Sequence, residues 1–416
     1  MSVCKTSFAR GLLLLLACLK QTHASTATCT TEQATELGCD AIVSPATHGG
    51  GHPDYIGLDG SSVDYSGQTL CIPAGEYSGL ALNYVEGTAS NPIVVTNCGG
   101  IVYFDGRNAG LQGTGHWNTI SGKGVKHLRL TGSGLLSYAE GGSKYGIVAH
   151  HSVSHGVHFD EGSSHITVDH IETHDNGYGG VVIRTYPRCD GRCGHLPANP
   201  SYNSYCNRGN FVQTDTVIHD NYIHDLEGEG MYIGTSHYHL DSYAAVYDPS
   251  ESCAGQTQAQ AELHGVEIYS NRLEDIGLDA IQVGSATQDV FVYSNTIRNF
   301  ASKQEYGHAY AITFNPGSTG TAYNNYIKGQ VGSRLNCFLR GLHSHFGISA
   351  RKYRTASTLE SPIMDKASTI HNPPVYTIMS SFTRKCHSCS STKKRVSAKS
   401  TNSYTIQSMT LRARVR

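Results

Sequence analysis

Four side chains stand at matching points of successive copies of one sequence pattern, and together they could move protons. Glu229 and Asp279 each precede a small residue and a short apolar run, in EGMYIG and DAIQVG. His308 and Tyr310 occupy the same stretch of the next copy, HAYAITF. If the copies stack as strands about 4.8 Å apart, the carboxyls are neighbours on one face, with His308 and Tyr310 one step further on. Carboxyls that close raise each other's proton affinity and leave one of them a proton donor. The pair could alternatively hold Ca²⁺, and His308 and Tyr310 could serve as base and acid. Arg184, at a strand end, could grip a carboxylate. Tyr232 and Gln282 lie two residues into their strands beside the candidates, and Glu227 borders the patch. A structural reading stands beside this one: an acidic residue before Gly or Ala also caps a turn, and His308 also fits a loop.

Those positions depend on a repeat. TVIHDNYIHDLEGEGMYIGT around Asn221 returns as HITVDHIETHDNGYGGVVIRT (His165–Thr185), as VEIYSNRLEDIGLDAIQVGS (Val266–Ser285) and, with an insertion, from Val290 to Phe314. Each copy is a β-branched run, a polar pair, an apolar residue, a second polar pair, a small residue (Gly180, Gly230, Ala280, Ala311) and another β-branched run. No stretch keeps a helical period, and short runs between Gly, Asn and Asp corners indicate an all-β chain. Asn271 and Asn295 are 24 residues apart. Discounting insertions near 186–210, 236–262 and 301–307, the period is about 23 residues, which fits one coil of a right-handed parallel β-helix. Aligned on their central pairs, His170, Asn221, Asn271 and Asn295 coincide, and Asn325 follows. The asparagines read as a corner ladder, and His174, Asp175, His224 and Asp225 as a second corner column. The first two insertions leave their coils just after Thr185 and Thr235, so they should wall a cleft along the candidate face.

The repeat resembles that of pectin-lyase-like parallel β-helix proteins, across about residues 69–330. The entry segment, IPAGEYSGLALNYVEGTASNPIVVTNCGG (Ile72–Gly100), resembles their first coils. The resemblance implies the fold, and with it a polysaccharide lyase, epimerase or glycoside hydrolase acting on an extracellular or cell-wall polysaccharide. A non-catalytic glycan-binding, adhesion or cell-wall protein is the alternative. Ca²⁺ would neutralise a uronate and acidify its C5 proton, and paired carboxyls would suit a retaining glycosidase. The motif sets of galacturonan hydrolases, pectate lyases and mannuronan epimerases are absent, so no family catalytic residue carries over.

Residues 1–25 read as a signal peptide, with a basic end, the apolar run Gly11–Leu19 and small residues after it. That run is too short to span a bilayer, and a secreted, extracellular monomer with no membrane span is expected. Residues 26–68 read as an N-terminal cap or loop region, 69–332 as the β-helix and 333–416 as a Ser/Thr-rich basic tail, disordered or aberrant. The charge supports this division. The formal net charge of −2 conceals a tail with 15 Lys and Arg against Glu360 and Asp365, and a body with 16 basic against 31 acidic residues. An acidic body argues against a nucleic-acid partner. Of 13 cysteines, Cys189, Cys193, Cys206 and Cys253 fall in the insertions and suit disulfides that stiffen the wall. Cys189, Cys193 and His195 have spacing open to zinc, but an exported chain favours the disulfide.

Overall fold

Alternation of apolar and polar residues sends every second side chain of a strand inward, and a short coil can bury its inward set only against the coils above and below. The computed structural model shows this arrangement. It describes residues 29–49, 54–109, 118–134, 144–186, 206–238 and 259–329, with the two short strands Phe338–Leu339 and Tyr404–Thr405. The strands form an all-β parallel β-helix with three faces. Two faces are runs of parallel strands that join through the long strand Ile93–Asp105; the third is a separate nine-stranded sheet from Tyr55–Asp59 to Phe338–Leu339. One coil therefore reads Glu262–Tyr269 on the first face, Arg272–Ile276 on the second and Ile281–Val283 on the third.

Register runs straight through the stack. On the first face Leu130, Val168, Ile218, Ile268, Val292 and Ala322 lie in one inward column. On the third, Leu80, Ile120, Val157, Val181, Met231, Ile281 and Ile312 do the same. All of these are at most 1% exposed. Each large member contributes about 1.5–3 kcal/mol by burial, so the core is a set of continuous apolar columns.

The corner between the first two faces carries the asparagine ladder. Asn221 Nδ2 donates to Asn271 Oδ1, Asn271 to Asn295 and Asn295 to Asn325, each at 3.0 Å. The same amides donate to the main-chain carbonyls of Val168, Ile218 and Ile268. The left-handed residue is the one before: His170, Asp220, Ser270, Ser294 and Asn324 have φ of 53–55°. His170 therefore aligns with Asp220, one place from the expected match, and Ile171 faces the ladder through its N–H to Asn221 Oδ1. The second corner column stacks as expected, with His174 and His224 rings 4.9 Å apart. Each ring nitrogen Nδ1 faces the next residue, Asp175 or Asp225.

Regular structure begins ahead of the legible period. A seven-residue helix, Thr31–Leu37, has a complete capping box from Thr30 and Gln33, and Tyr55–Asp59 already pairs with Gly79–Asn83 in the third sheet. Disulfides Cys29–Cys98 and Cys39–Cys71 fasten this end to the first coils. Past residue 329 the described structure consists of two backbone pairings. Phe338–Leu339 continues the third sheet, and Tyr404–Thr405 runs antiparallel to Tyr326–Ile327. Residues 1–28, where a signal peptide is expected, and the rest of the basic tail lie outside the described residues.

Candidate active site

The third sheet holds the candidate residues because its outward rows lose their uniformity there. One row runs His155, Gly179, Glu229, Asp279, Tyr310. The next runs Ser121, His158, Val182, Tyr232, Gln282, Thr313. Small residues beside the first row are a packing requirement. A Cβ at Gly230 would come within 2.5 Å of the Ala280 carbonyl oxygen and 2.8 Å of Leu273 Cδ2. The main chain before each strand is thus drawn tight, and Glu229 and Asp279 stand on adjacent rungs.

Both carboxyls are 1% exposed. Asp279 Oδ1 accepts the Tyr310 N–H at 2.8 Å and Oδ2 accepts the Thr313 hydroxyl at 3.1 Å. Burial pushes the Asp279 pKa up to about 7; the Tyr310 N–H, His308 and Thr313 oppose this, and the Glu229 charge adds to it. Glu229 Oε1 lies 3.3 Å from His308 Nδ1. Glu229 raises the His308 pKa above the ordinary imidazole value, against burial.

His308 and Tyr310 line an open cleft of about 330 Å³ with Tyr306, Gln282, Thr313, Ser236 and Asn315. Ser236 Oγ is its hydrogen-bonding hub. It accepts from Gln282 Nε2 and Asn315 Nδ2, both at 2.9 Å, and lies 2.8 Å from the Tyr232 hydroxyl. Tyr306 is 90% exposed at the rim. The Arg184 guanidinium sits 4.6 Å from the Tyr186 ring centre and 5.5 Å from that of Tyr232. It therefore lies beside the hub, toward the preceding coil. Glu227 turns away from the cleft and pairs with Lys303 at 3.0 Å on the surface.

Sequence reasoning missed three neighbours. His155 and His158 extend the two rows by two coils, with rings 5.2 Å apart, and the Tyr178 ring meets His155 edge-on at 5.5 Å. Burial, then Arg184, lowers the His155 pKa to about 3; burial, then Arg184 and His155, takes His158 well below the ordinary value. Burial, then the Glu229 carboxylate, raises the Tyr178 phenol. Neutral imidazoles, a phenol and a guanidinium thus continue the polar strip on the N-terminal side of Glu229. The signal was HGVHFD (His155–Asp160), whose histidines fall on the Gly179 and Val182 positions once the repeat is extended backward.

Of the insertions expected to wall the cleft, only the bases are described. Arg208 joins them, stacking 3.6 Å from the Tyr238 ring centre and donating through Nε to the Gln260 carbonyl. Cys206 is buried and disulfide-bonded; Cys189, Cys193 and Cys253 lie outside the described residues. No helix among the described residues is long and apolar enough to cross a membrane.

No protein-family model matches the chain, and no curated protein matches it. Solved structures do. An alginate lyase from Paenibacillus sp. strain FPU-7 matches with a TM-score of 0.31 and 14% identity, over 65% of this chain and 87% of that one. The PL6-family alginate lyase AlyGC matches at 0.29 and 11%, over 66% of this chain and 38% of that one. The Dettilon tailspike protein matches at 0.22 and 9%, over 67% and 63%. Likeness of this degree concerns backbone fold alone, and any activity has to be argued from the side chains of this chain.

Proposed function

We propose that the chain is a secreted, carbohydrate-active enzyme of the pectin-lyase-like kind. It works on an extracellular or cell-wall polysaccharide, by acid–base chemistry in the cleft beside His308. The observation that carries the reading is the Glu229–His308 pair at the edge of that cleft. Nδ1 of the imidazole stands 3.3 Å from a buried carboxylate, a placement that leaves Nε2 for a ligand. Proton abstraction beside a uronate carboxylate, followed by elimination or by reprotonation on the other face, needs a base, an acid and a carboxylate reader. His308, Tyr310 and Arg184 supply those three functions.

Hydrolysis through a carboxylate nucleophile is less well supported. Glu229 and Asp279 occupy adjacent rungs, but neither lines the cleft and both are almost fully covered. Both Asp279 oxygens already accept hydrogen bonds, which favours proton chemistry over Ca²⁺ at this pair. Export is supported by the two disulfides among the described residues.

The test is incubation of the full chain with uronans, pectins and neutral glycans, with and without Ca²⁺, following ultraviolet absorbance of unsaturated ends and release of reducing ends. Unsaturated ends that fall at least 100-fold in H308A and in Y310F are expected. Reducing ends without unsaturation would replace elimination by hydrolysis. Tight binding without turnover would favour the glycan-binding alternative, for which the exposed ring of Tyr306 is suited.

A further inference from the structure

On the second face, away from the cleft, Asp105, His150, His174, His224, Glu274, Arg298 and Lys328 form one register column. Its N-terminal end is chemically unlike the rest. His151 follows His150 at the corner in the left-handed region, with φ 55°, which folds its ring back toward the rung before. The two imidazole rings are 4.3 Å apart. His151 Nδ1 lies 3.3 Å from Asp105 Oδ1, and His150 Nε2 lies 4.0 Å from Asp105 Oδ2. One ligand atom from each of the three residues falls within 4.8 Å of the others. The side chains are 11% (Asp105), 13% (His150) and 24% (His151) exposed. His150 Nδ1 and Nε2 and His151 Nδ1 are buried, yet none makes a hydrogen bond.

Leaving a buried polar atom unpaired costs about 1–3 kcal/mol. Two such nitrogens, His150 Nε2 and His151 Nδ1, face one carboxylate and need an explanation. The histidines that stand directly before an aspartate are satisfied: His174, His219 and His224 each turn Nδ1 to it at 2.6–2.7 Å. His151 is followed by Ser152, and His150 by His151. The separations approach the edge of a tetrahedral site, about 3.4 Å for metal–ligand bonds near 2.1 Å. Two imidazoles and one carboxylate select a borderline cation such as Zn²⁺, Co²⁺ or Ni²⁺ over Ca²⁺ or Mg²⁺.

We infer that Asp105, His150 and His151 form a binding site for a divalent transition-metal ion, with its remaining position open to water or an added ligand. Arg107 grips Asp105 at 2.7 Å from a 64%-exposed side chain. Its main-chain N–H and Nε donate to Oδ1 at 2.9 and 3.1 Å and Nη2 to Oδ2, which holds the carboxylate in place while a metal would take a remaining lone pair of Oδ1, the oxygen nearest His151. The His174 ring, 4.9 Å from that of His150 and held by Asp175, backs the site on the next rung. The inference is independent of the cleft and its chemistry.

The test is titration of the chelator-treated full chain with Co²⁺, reading visible d–d absorption, and with Zn²⁺, reading the melting temperature. One equivalent of Co²⁺ with a four- or five-coordinate band is expected, together with a Zn²⁺-dependent rise in melting temperature. Affinity should fall at least tenfold in H150Q/H151Q and in D105N, and stay within twofold in H219Q. Circular dichroism confirms that each variant is folded, and D105N keeps the test open if the double variant is not. Absence of the Co²⁺ band, or equal affinity in wild type, H150Q/H151Q and D105N, would overturn the site and assign any uptake to scattered surface histidines.

Discussion

At the scale of single residues, Asp279 illustrates how a buried carboxyl works against stability. Its pKa is raised from 3.8 to about 7, so the folded state binds that proton more tightly than the unfolded chain. The resulting stabilisation is complete below about pH 4 and is lost as pH rises through 7. Asparagine can keep both contacts, accepting the Tyr310 N–H and donating to the Thr313 hydroxyl, which can reverse its role. D279N should therefore raise stability by about 1–3 kcal/mol at pH 8 and by little at pH 5, while lowering turnover. Thermal unfolding at the two pH values checks this; an equal gain at both would show that charge burial is not the cause. Asp169 is the opposite case. It is 0% exposed, and burial alone would raise its pKa. Hydrogen bonds from His170, Arg129 and Thr131 outweigh burial and hold the carboxyl well below its usual range. The carboxyl keeps its charge at Asp169, where strong partners are close, and is held protonated to higher pH at Asp279, where burial dominates.

At the scale of elements, the corner is the unit that makes a coil. The Asn271 side chain takes part in five hydrogen bonds: its Oδ1 accepts from the Asn221 N–H and Nδ2, and its Nδ2 donates to Ile218 O, Tyr269 O and Asn295 Oδ1. N271A would leave buried partners on two rungs unsatisfied, and a loss of about 3–4 kcal/mol is expected in denaturant unfolding. The neighbour Ser270, at φ 55°, should respond oppositely. Glycine accepts that conformation without steric cost, so S270G should stay within about 0.5 kcal/mol of wild type. The contrast also marks what the sequence could reveal. The asparagine column and alternating apolar runs were legible because the same residue types recur at the same offsets. The His170 match slipped one place because a histidine at the left-handed position resembles the polar pair that follows it in other coils. The row from Glu229 through Asp279 to Tyr310 could be read because strand pairing keeps register. The direction of Glu227 could not, because it depends on Lys303, 76 residues away. His155 and His158 were overlooked because their coil lacks the asparagine on which the copies were aligned.

At the scale of the whole molecule, a solenoid is held by neighbour-to-neighbour contacts, so injury at one end need not reach the middle. The disulfides Cys29–Cys98 and Cys39–Cys71 close loops of 69 and 32 residues near the first coils. In the chain-entropy treatment each contributes about 4 kcal/mol. C39S/C71S should thus lower the melting temperature while turnover at a temperature where the variant stays folded remains within twofold of wild type. Parallel loss of activity at low temperature would show that the two regions are coupled more tightly than stacking provides.

The asparagine ladder has an electrical consequence. From Asn221 through Asn271 and Asn295 to Asn325 each carboxamide donates to the next and never the reverse, so their dipoles add head to tail. Each bond polarises its successor, by about 10–30% in hydrogen-bonded chains. The corner is therefore a polar wire sealed inside an apolar column, with a positive end and a negative end as a helix has. A coil added within that stretch must bring its own amide to keep the current of polarisation unbroken; one added outside it need not.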